Sequence, residues 1–423
     1  MTGKRVTFAA VLRVREFRVL WLADSQSAIG DQIARVALSV LVFERTASAV
    51  LTALTYALTF LPALIGGALL SGLADRLPRR RVLIVADLIR AVLFGAMAMP
   101  HLPIWVLCVL LVLAVLTESP FTAAESSLIP SILQDGDYYV VGTALRTITN
   151  QVAQLAGFAG GGLAIALIGA RAGLGLDAAT FAVSALVIWL GVEARPASVT
   201  EQDTPPPGFG ASALAAGLRL VFGHPQLRVL LGLSWLAGVY VVPEGVAAPY
   251  AAASHHGATA VGLLMAAMPA GTALGTYLFV RLIPTANRSR WMGPLGIAAG
   301  VPLICCWMVP DLPLSLVLWA CSGLFFCYQV QVVTVYIRMV PDNQRGQAVG
   351  IASSGLLAVQ GVGLLVGGLV AGVAGVGWAV GGAGTIGLLI ALWLTWLWSR
   401  VSRSAATAVP LVTSSGQHRR KTP

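Results

Sequence analysis

Charge is the scarcest property of this 423-residue chain. Asp, Glu, Lys and Arg make up 10% of it, against about 25% in an ordinary soluble domain. With 57% hydrophobic residues and a mean hydropathy of +0.84, no soluble fold could cover its own surface with polar groups, so a soluble protein is excluded. Lysine is nearly missing: Lys4 and Lys421 are its only copies, and arginine supplies the rest of a net charge of +10. No basic cluster interleaved with aromatics occurs on a polar segment, which argues against a nucleic-acid partner. A Gly-x-x-x-x-Gly-Lys-Ser/Thr phosphate loop is absent, which excludes an ATP-driven pump of that type. Gly-x-Ser-x-Gly and His-Glu-x-x-His are absent as well, so an enzyme is not expected. The five cysteines (Cys108, Cys305, Cys306, Cys321 and Cys327) lie in apolar runs without metal-ligand spacing and read as small packing residues. The histidines fall in loops or the tail, and His255-His256 alone rarely suffices for a metal, so none is expected.

Long apolar runs are what the chain has in abundance. A bilayer-spanning helix needs roughly 20 largely apolar residues, and twelve such spans are predicted. They cover 18–42, 50–74, 82–100, 104–128, 147–169, 176–193, 228–252, 259–283, 292–309, 314–339, 347–372 and 378–398. The runs are too long and continuous for barrel strands, and in lipid only helices or closed barrels hide their backbone polar groups. If both termini are cytoplasmic, every Lys and Arg lies on that side except Arg45 and Arg171 outside and Arg35 and Arg90 within spans, as the positive-inside rule requires. The basic start (Lys4, Arg5, Arg13, Arg15, Arg18) runs straight into span one, which reads as an uncleaved insertion signal.

The organisation expected is a six-helix bundle at 1–193, a cytoplasmic linker at 194–227, a second bundle at 228–398 and a disordered cytoplasmic tail at 399–423. The linker carries Pro205-Pro206-Pro207-Gly208, and its Ala211–Phe222 stretch is amphipathic enough to lie on the membrane surface. The halves echo one another. Gln154 to Leu163 matches Gln360 to Leu369 at five of ten positions, an offset of 206 residues that puts equivalent glycines on spans five and eleven.

Between spans two and three runs Leu69-Leu70-Ser71-Gly72-Leu73-Ala74-Asp75-Arg76-Leu77-Pro78-Arg79-Arg80-Arg81. It resembles the loop motif of the major facilitator superfamily, with Leu73, Ala74, Asp75, Arg76, Arg79 and Arg80 matching and Ser71 and Pro78 in place of two glycines. Gly30-Asp31, Leu176 to Phe181, Gly217-Leu218-Arg219 through His224-Pro225, and Pro341 to Gly346 are similar to segments of its macrolide and enterobactin exporter branch among the drug:proton antiporters. The resemblance implies an all-α integral membrane protein of 12 transmembrane helices in two pseudo-symmetric six-helix halves. It further implies a monomer in a bacterial cytoplasmic membrane, alternating access, and spans one, four, seven and ten around a central cavity. By the same resemblance Asp75, Arg76, Arg79 and Arg80 form a cytoplasmic latch between the halves, with Asp87 and Arg90 able to extend it. On the residues alone, these charges pair with one another and with a helix end, or simply set topology.

Ionisable residues inside spans are the most informative pattern. Each costs about 2.5–3.5 kcal/mol on insertion scales, so each needs a reason. Span one carries Asp24, Ser27, Asp31 and Arg35 on one helical stripe, and span four carries Glu118, Thr122 and Glu125. A low dielectric favours a neutral carboxyl and a nearby guanidinium an ionised one, so such a group can exchange protons as a cavity changes sides. Asp31 is the first candidate for proton coupling, with Arg35 as modulator, Glu118 as partner or substrate counter-ion, and Asp24 and Glu125 behind them. A static Asp31–Arg35 pair that only fixes packing is the alternative. Trp235, Tyr240 and Glu244 of span seven and Tyr328 and Gln329 of span ten join Asp31 and Glu118 as cavity candidates for an amphipathic substrate. Span five keeps Gly157 and Gly161 of the superfamily's antiporter Gly-x-x-x-Gly-Pro, with Gly162 where proline is expected. The function expected is export of small amphipathic molecules by proton antiport, driven by the proton gradient without a cofactor. Uptake symport and lipid or lysolipid translocation are the rivals.

Overall fold

A computed structural model describes residues 6–63, 66, 77–195, 219, 221–309, 311–341 and 344–407. All regular structure among them is helical. The long helices are α1 Arg15–Thr46, α2 Ala49–Ala63, α3 Arg79–Met97, α4 Ile104–Ile132, α5 Gly136–Ile168 and α6 Ala170–Gly191. The second half has α7 Pro225–Gly245, α8 Ala258–Leu282, α9 Arg288–Met308, α10 Leu312–Met339, α11 Arg345–Ala374 and α12 Val376–Thr407. Among the described residues, nine of these are long and apolar enough to cross a bilayer. The other three are α1 and α3, whose hydropathy is lowered by the charges that make the site, and α2, which is described only to Ala63. Most of the linker, including most of its amphipathic stretch, lies outside the described residues, as do Asp75, Arg76 and the tail from 408.

The two boundaries that differ most from the sequence reading do so for local reasons. Helix α5 starts at Gly136, where the Asp135 carboxylate accepts from the Asp137 backbone N–H at 2.9 Å, an N-cap that satisfies an otherwise orphaned donor. Helix α12 runs to Thr407, so the first residues of the expected tail are helical. No Gly or Pro separates Gly387 from Pro410, Ser402 Oγ donates to the Trp398 carbonyl at 2.7 Å, and the Arg400 guanidinium lies 3.8 Å from the Trp396 ring centroid.

The internal repeat has a structural meaning. Gly169 (φ 83°) joins α5 to α6, and Gly375 (φ 102°), 206 residues later, joins α11 to α12, each in a backbone region that a side chain would strain. Helix α5 packs on α1 within its half and on α8 across to the other, while α11 packs on α7 and α2 in the same way. A Cβ on Gly162 would lie 2.7 Å from the Gly262 Cα, and one on its repeat partner Gly368 would lie 2.3 Å from the Ala53 Cβ. The halves are therefore held together at the end containing Ala53, Gly162, Gly262 and Gly368.

At the opposite end Glu16 ties the start of α1 to the segment leaving α6. Arg195 donates to it twice, at 2.8 and 2.6 Å, and the Glu193 backbone N–H donates at 2.7 Å. Burial alone would raise the Glu16 pKa, but these bonds outweigh it and leave the carboxyl below its usual range. A lowered folded-state pKa means that the stabilisation is complete above the ordinary carboxyl range and is lost as pH falls through the lowered value. Glu16→Gln should therefore lower the thermal unfolding midpoint in detergent slightly at pH 7, by about 1 kcal/mol or less, and the gap from wild type should close in acid. A gap that persists unchanged in acid would contradict this assignment.

Candidate functional site

The site begins with a break in α4. Pro120 has no N–H for the carbonyl of Leu116, so the helix divides into Ile104–Leu116 and Glu118–Ile132. Glu118 sits in the first turn of the second piece, where the helix dipole favours an acid, and its side chain is exposed. It opens onto a cleft of about 480 Å³ of non-atom space, partly continuous with solvent, lined also by Asp31 and Arg35 of α1, Arg90 and Phe94 of α3 and Phe181 of α6.

The charges in this cleft balance and are held by aromatic rings. Arg90 is 7% exposed. Its Nε donates to Thr117 Oγ1 at 3.2 Å, and its guanidinium lies 5.1 and 5.2 Å from the Phe121 and Phe181 centroids. The Arg35 guanidinium lies 5.6 Å from the Phe60 centroid. Both geometries are within cation–π reach. Asp31 is within electrostatic range of Arg90, Glu118, Arg35 and Asp87, yet among the described residues no direct ion pair joins Asp31 to Arg35. The static-pair alternative is therefore not the arrangement present here.

Asp87 and Arg90 each have partners inside the first half. Asp87 is fully buried and accepts from Ser184 Oγ of α6 at 2.6 Å, and Arg90, one turn on, faces the cleft. Two arginines of the motif reach carbonyls of the first half. Arg79 Nη1 donates to the Ser127 carbonyl at 3.0 Å, and Arg80 Nη2 donates to the Trp189 carbonyl. The Trp189 carbonyl lies in the last turn of α6, where cations are favoured.

A second cluster, outside the cleft lining, gathers Asp24 of α1 and Glu125 of α4 around one guanidinium. Arg146 Nη2 of α5 lies 3.2 Å from Asp24 Oδ2 and 2.5 Å from Glu125 Oε1. The sequence reading placed Arg146 before span five, because the polar run from Asp137 to Thr149 hid the first three turns of α5.

The aromatic candidates of the second half do not line the cleft. Tyr240 donates to the Gly296 carbonyl at 2.8 Å, and Tyr328 donates to the Leu233 carbonyl at 3.2 Å. Both are 1% exposed or less and pack helices within their half. Gln329 Nε2 donates to the Ser234 carbonyl at 2.9 Å, and Trp235 Nε1 to the Ala352 carbonyl at 3.1 Å. Glu244 is different. Helix α7 is broken around Pro243, and the break sets Glu244 against α2, where it accepts from Tyr56 Oη at 2.8 Å. That bond crosses the halves, and Arg35 is within electrostatic range of both partners. Tyr56 was not singled out from sequence; no pattern marks one tyrosine as an interface donor.

Comparison with known proteins agrees with this architecture. The family model described as Major Facilitator Superfamily matches residues 20–245 and 245–414. The "Multidrug efflux pump Tap" of Mycobacterium tuberculosis is 27% identical over 368 residues, 83% of this chain and 85% of the relative. That of Mycolicibacterium fortuitum is 27% identical over 372 residues, 84% and 89% of the two chains. Among solved structures, a bacterial homolog of the human lysosomal transporter Spinster, inward-facing and unoccupied, superposes with a TM-score of 0.71 at 16% identity, covering 92% of this chain and 98% of that one. A peptide transporter POT in complex with sulfate gives 0.72 at 14% identity, covering 94% and 97%. Twelve helices in two related halves, a charged cleft inside them and a family match along most of the sequence give one conclusion: the chain is a multi-pass membrane protein of the Major Facilitator Superfamily, a transporter family.

Proposed function

We propose that this protein exports small amphipathic molecules, cations foremost, in exchange for protons that load Asp31. The observation that carries the reading is Asp31 and Glu118 opening with Arg35 and Arg90 onto one phenylalanine-lined cleft. With Asp31 ionised these four groups sum to zero and Glu118 is free to face a cation. Protonating Asp31 leaves one net positive charge, which expels the cation. Proton and substrate thus compete for the same site, the requirement for antiport. The efflux pumps named among the relatives support the direction. The proton gradient is the energy source, and the protein works as a monomer in the bacterial cytoplasmic membrane.

The arginine distribution supports cytoplasmic termini, which makes the packed end of the molecule the external one and the described state inward-facing. The latch around Asp75 would then engage in the opposite state, with the halves rocking about the cleft. Ethidium accumulation in cells stripped of their own exporters tests the reading. Wild type should lower it several-fold, and both Asp31→Asn at equal expression and collapse of the proton gradient should abolish the effect. Raised accumulation would instead identify an uptake carrier, and lipid flipping without any effect on ethidium a lipid translocator.

A further inference from the structure

Asp177 of α6 plays no part in the reading above, and its surroundings are unusual. It is completely buried. One oxygen, Oδ1, accepts from Thr180 Oγ1 at 3.2 Å, while Oδ2 has no hydrogen-bond partner. An orphaned oxygen on a buried carboxylate is costly. Helix α1 approaches it unusually closely, because a Cβ on Gly30 would stand only 2.4 Å from Asp177 Oδ1. The residue after Gly30 is Asp31. Glycine at position 30 therefore lets the Asp177 carboxylate lie against the α1 backbone next to Asp31, the acid that lines the cleft.

We propose that Asp177 and Asp31 form a proton-sharing carboxyl pair, in which Asp31 meets the cleft and Asp177 holds the shared proton behind it. The assignment of this pair to transport rests on the antiport reading above. Two carboxylates side by side in a low dielectric resist carrying two charges at once, and one proton between them supplies the bond that Oδ2 lacks. The facing groups fit. Helix α1 presents Asp31 and Arg35, α3 presents Arg90 and, towards Asp31, Asp87, and α6 itself presents Thr180. The charged residues of α5, Asp137 and Arg146, lie towards its other end, and Glu118 of α4 faces Asp31. With one proton on the pair and another on Asp87, the Arg35 and Arg90 guanidinium groups balance the remaining carboxylate and Glu118. A second proton, taken from solvent through the cleft, produces the net positive charge that releases a cation. The pair thus holds one proton with substrate bound and two after release.

Infrared difference spectroscopy of the purified protein, following the carboxyl C=O bands through a pH titration, tests the pair without any substrate. Coupled acids titrate in two macroscopic steps that belong to both groups. The pair is read from the bands lost on Asp177→Asn or Asp31→Asn, since the other carboxyls titrate in all three proteins: in wild type these bands should show two steps, and in Asp177→Asn the remaining Asp31 band should show one. Should Asp177→Asn fail to fold, Asp31→Asn reads the same coupling from the cleft side and should also leave one step. A folded Asp177→Asn protein whose Asp31 band titrates as in wild type would overturn the pair, as would an Asp177 band that is unchanged by Asp31→Asn. Ethidium movement driven by a proton gradient in inverted vesicles separates the two claims. Coupled bands without ethidium movement in wild type would sink the export reading and leave the pair standing. Ethidium movement with uncoupled bands would do the reverse.

Discussion

Gly262→Leu should open the packed end of the molecule and stall transport. A Cβ at position 262 would stand 2.5 Å from both the Gly162 Cα and the Phe158 carbonyl oxygen. Those are backbone atoms, which cannot rotate away as a side chain can, so α5 and α8 must separate. Overpacking of this kind costs about 1–3 kcal/mol, and about 1.4 kcal/mol is a tenfold change in an equilibrium constant. The cost falls only on the state in which these helices touch, so the population of that state should drop roughly tenfold or more while each half stays folded. Spin labels at Arg171 and His256, both exposed beside the α5 and α8 ends concerned, would report the change as a longer mean distance by electron–electron resonance. Gly160→Leu is the matched control, since a Cβ there meets nothing within 4 Å. An unchanged distance distribution in Gly262→Leu would show that the two glycines do not set the closure.

The same two positions show what could be read from sequence. The repeat linking Gln154–Leu163 to Gln360–Leu369 places equivalent glycines on α5 and α11, but sequence does not say which neighbour each one meets. Gly161 faces the Ile33 Cα within its own half, whereas Gly162, one residue on, faces the partner half. A step of about 100° around a helix thus separates intra-half from inter-half packing. The intramembrane charges Asp31, Arg35 and Glu118 were legible because each stands out against an apolar run. Arg90 was legible as a charge, but sequence did not say that it lines the cleft beside Asp31 and Glu118. The aromatic candidates Tyr240 and Tyr328 were misjudged for the reason that makes tyrosine ambiguous everywhere. Its hydroxyl needs one acceptor, and a carbonyl inside the second half supplies it.

Asymmetry between the halves follows from the same facts. The cleft and both acid clusters are built from helices of the first half, while the second half contributes packed aromatics, with Glu244 as its polar link across the interface. The charges that line the cleft thus belong to the first half. The Tyr56–Glu244 bond, close to Arg35, joins this charged half to the second.

Arg146→Ala should be among the most damaging single substitutions in the first half, although Arg146 lines no cleft. Its Nη2 is shared by Asp24 and Glu125 from two other helices, so its removal leaves two acids facing each other with nothing between them. Removing one partner of a buried ion pair costs about 3–5 kcal/mol. The Arg146 and Asp24 side chains are about one-fifth exposed, and solvent screening brings the expected loss to about 2 kcal/mol. A double-mutant cycle separates lost attraction from the repulsion left behind. Arg146→Ala combined with Glu125→Gln should recover at least half of the loss, because one neutral amide ends the acid–acid repulsion. Glu125→Gln alone should cost less than Arg146→Ala, since Arg146 then keeps Asp24. Thermal unfolding in detergent at pH 7 measures all three variants. Strictly additive losses would mean that the two acids do not depend on Arg146, and that α1, α4 and α5 are held together by apolar packing alone.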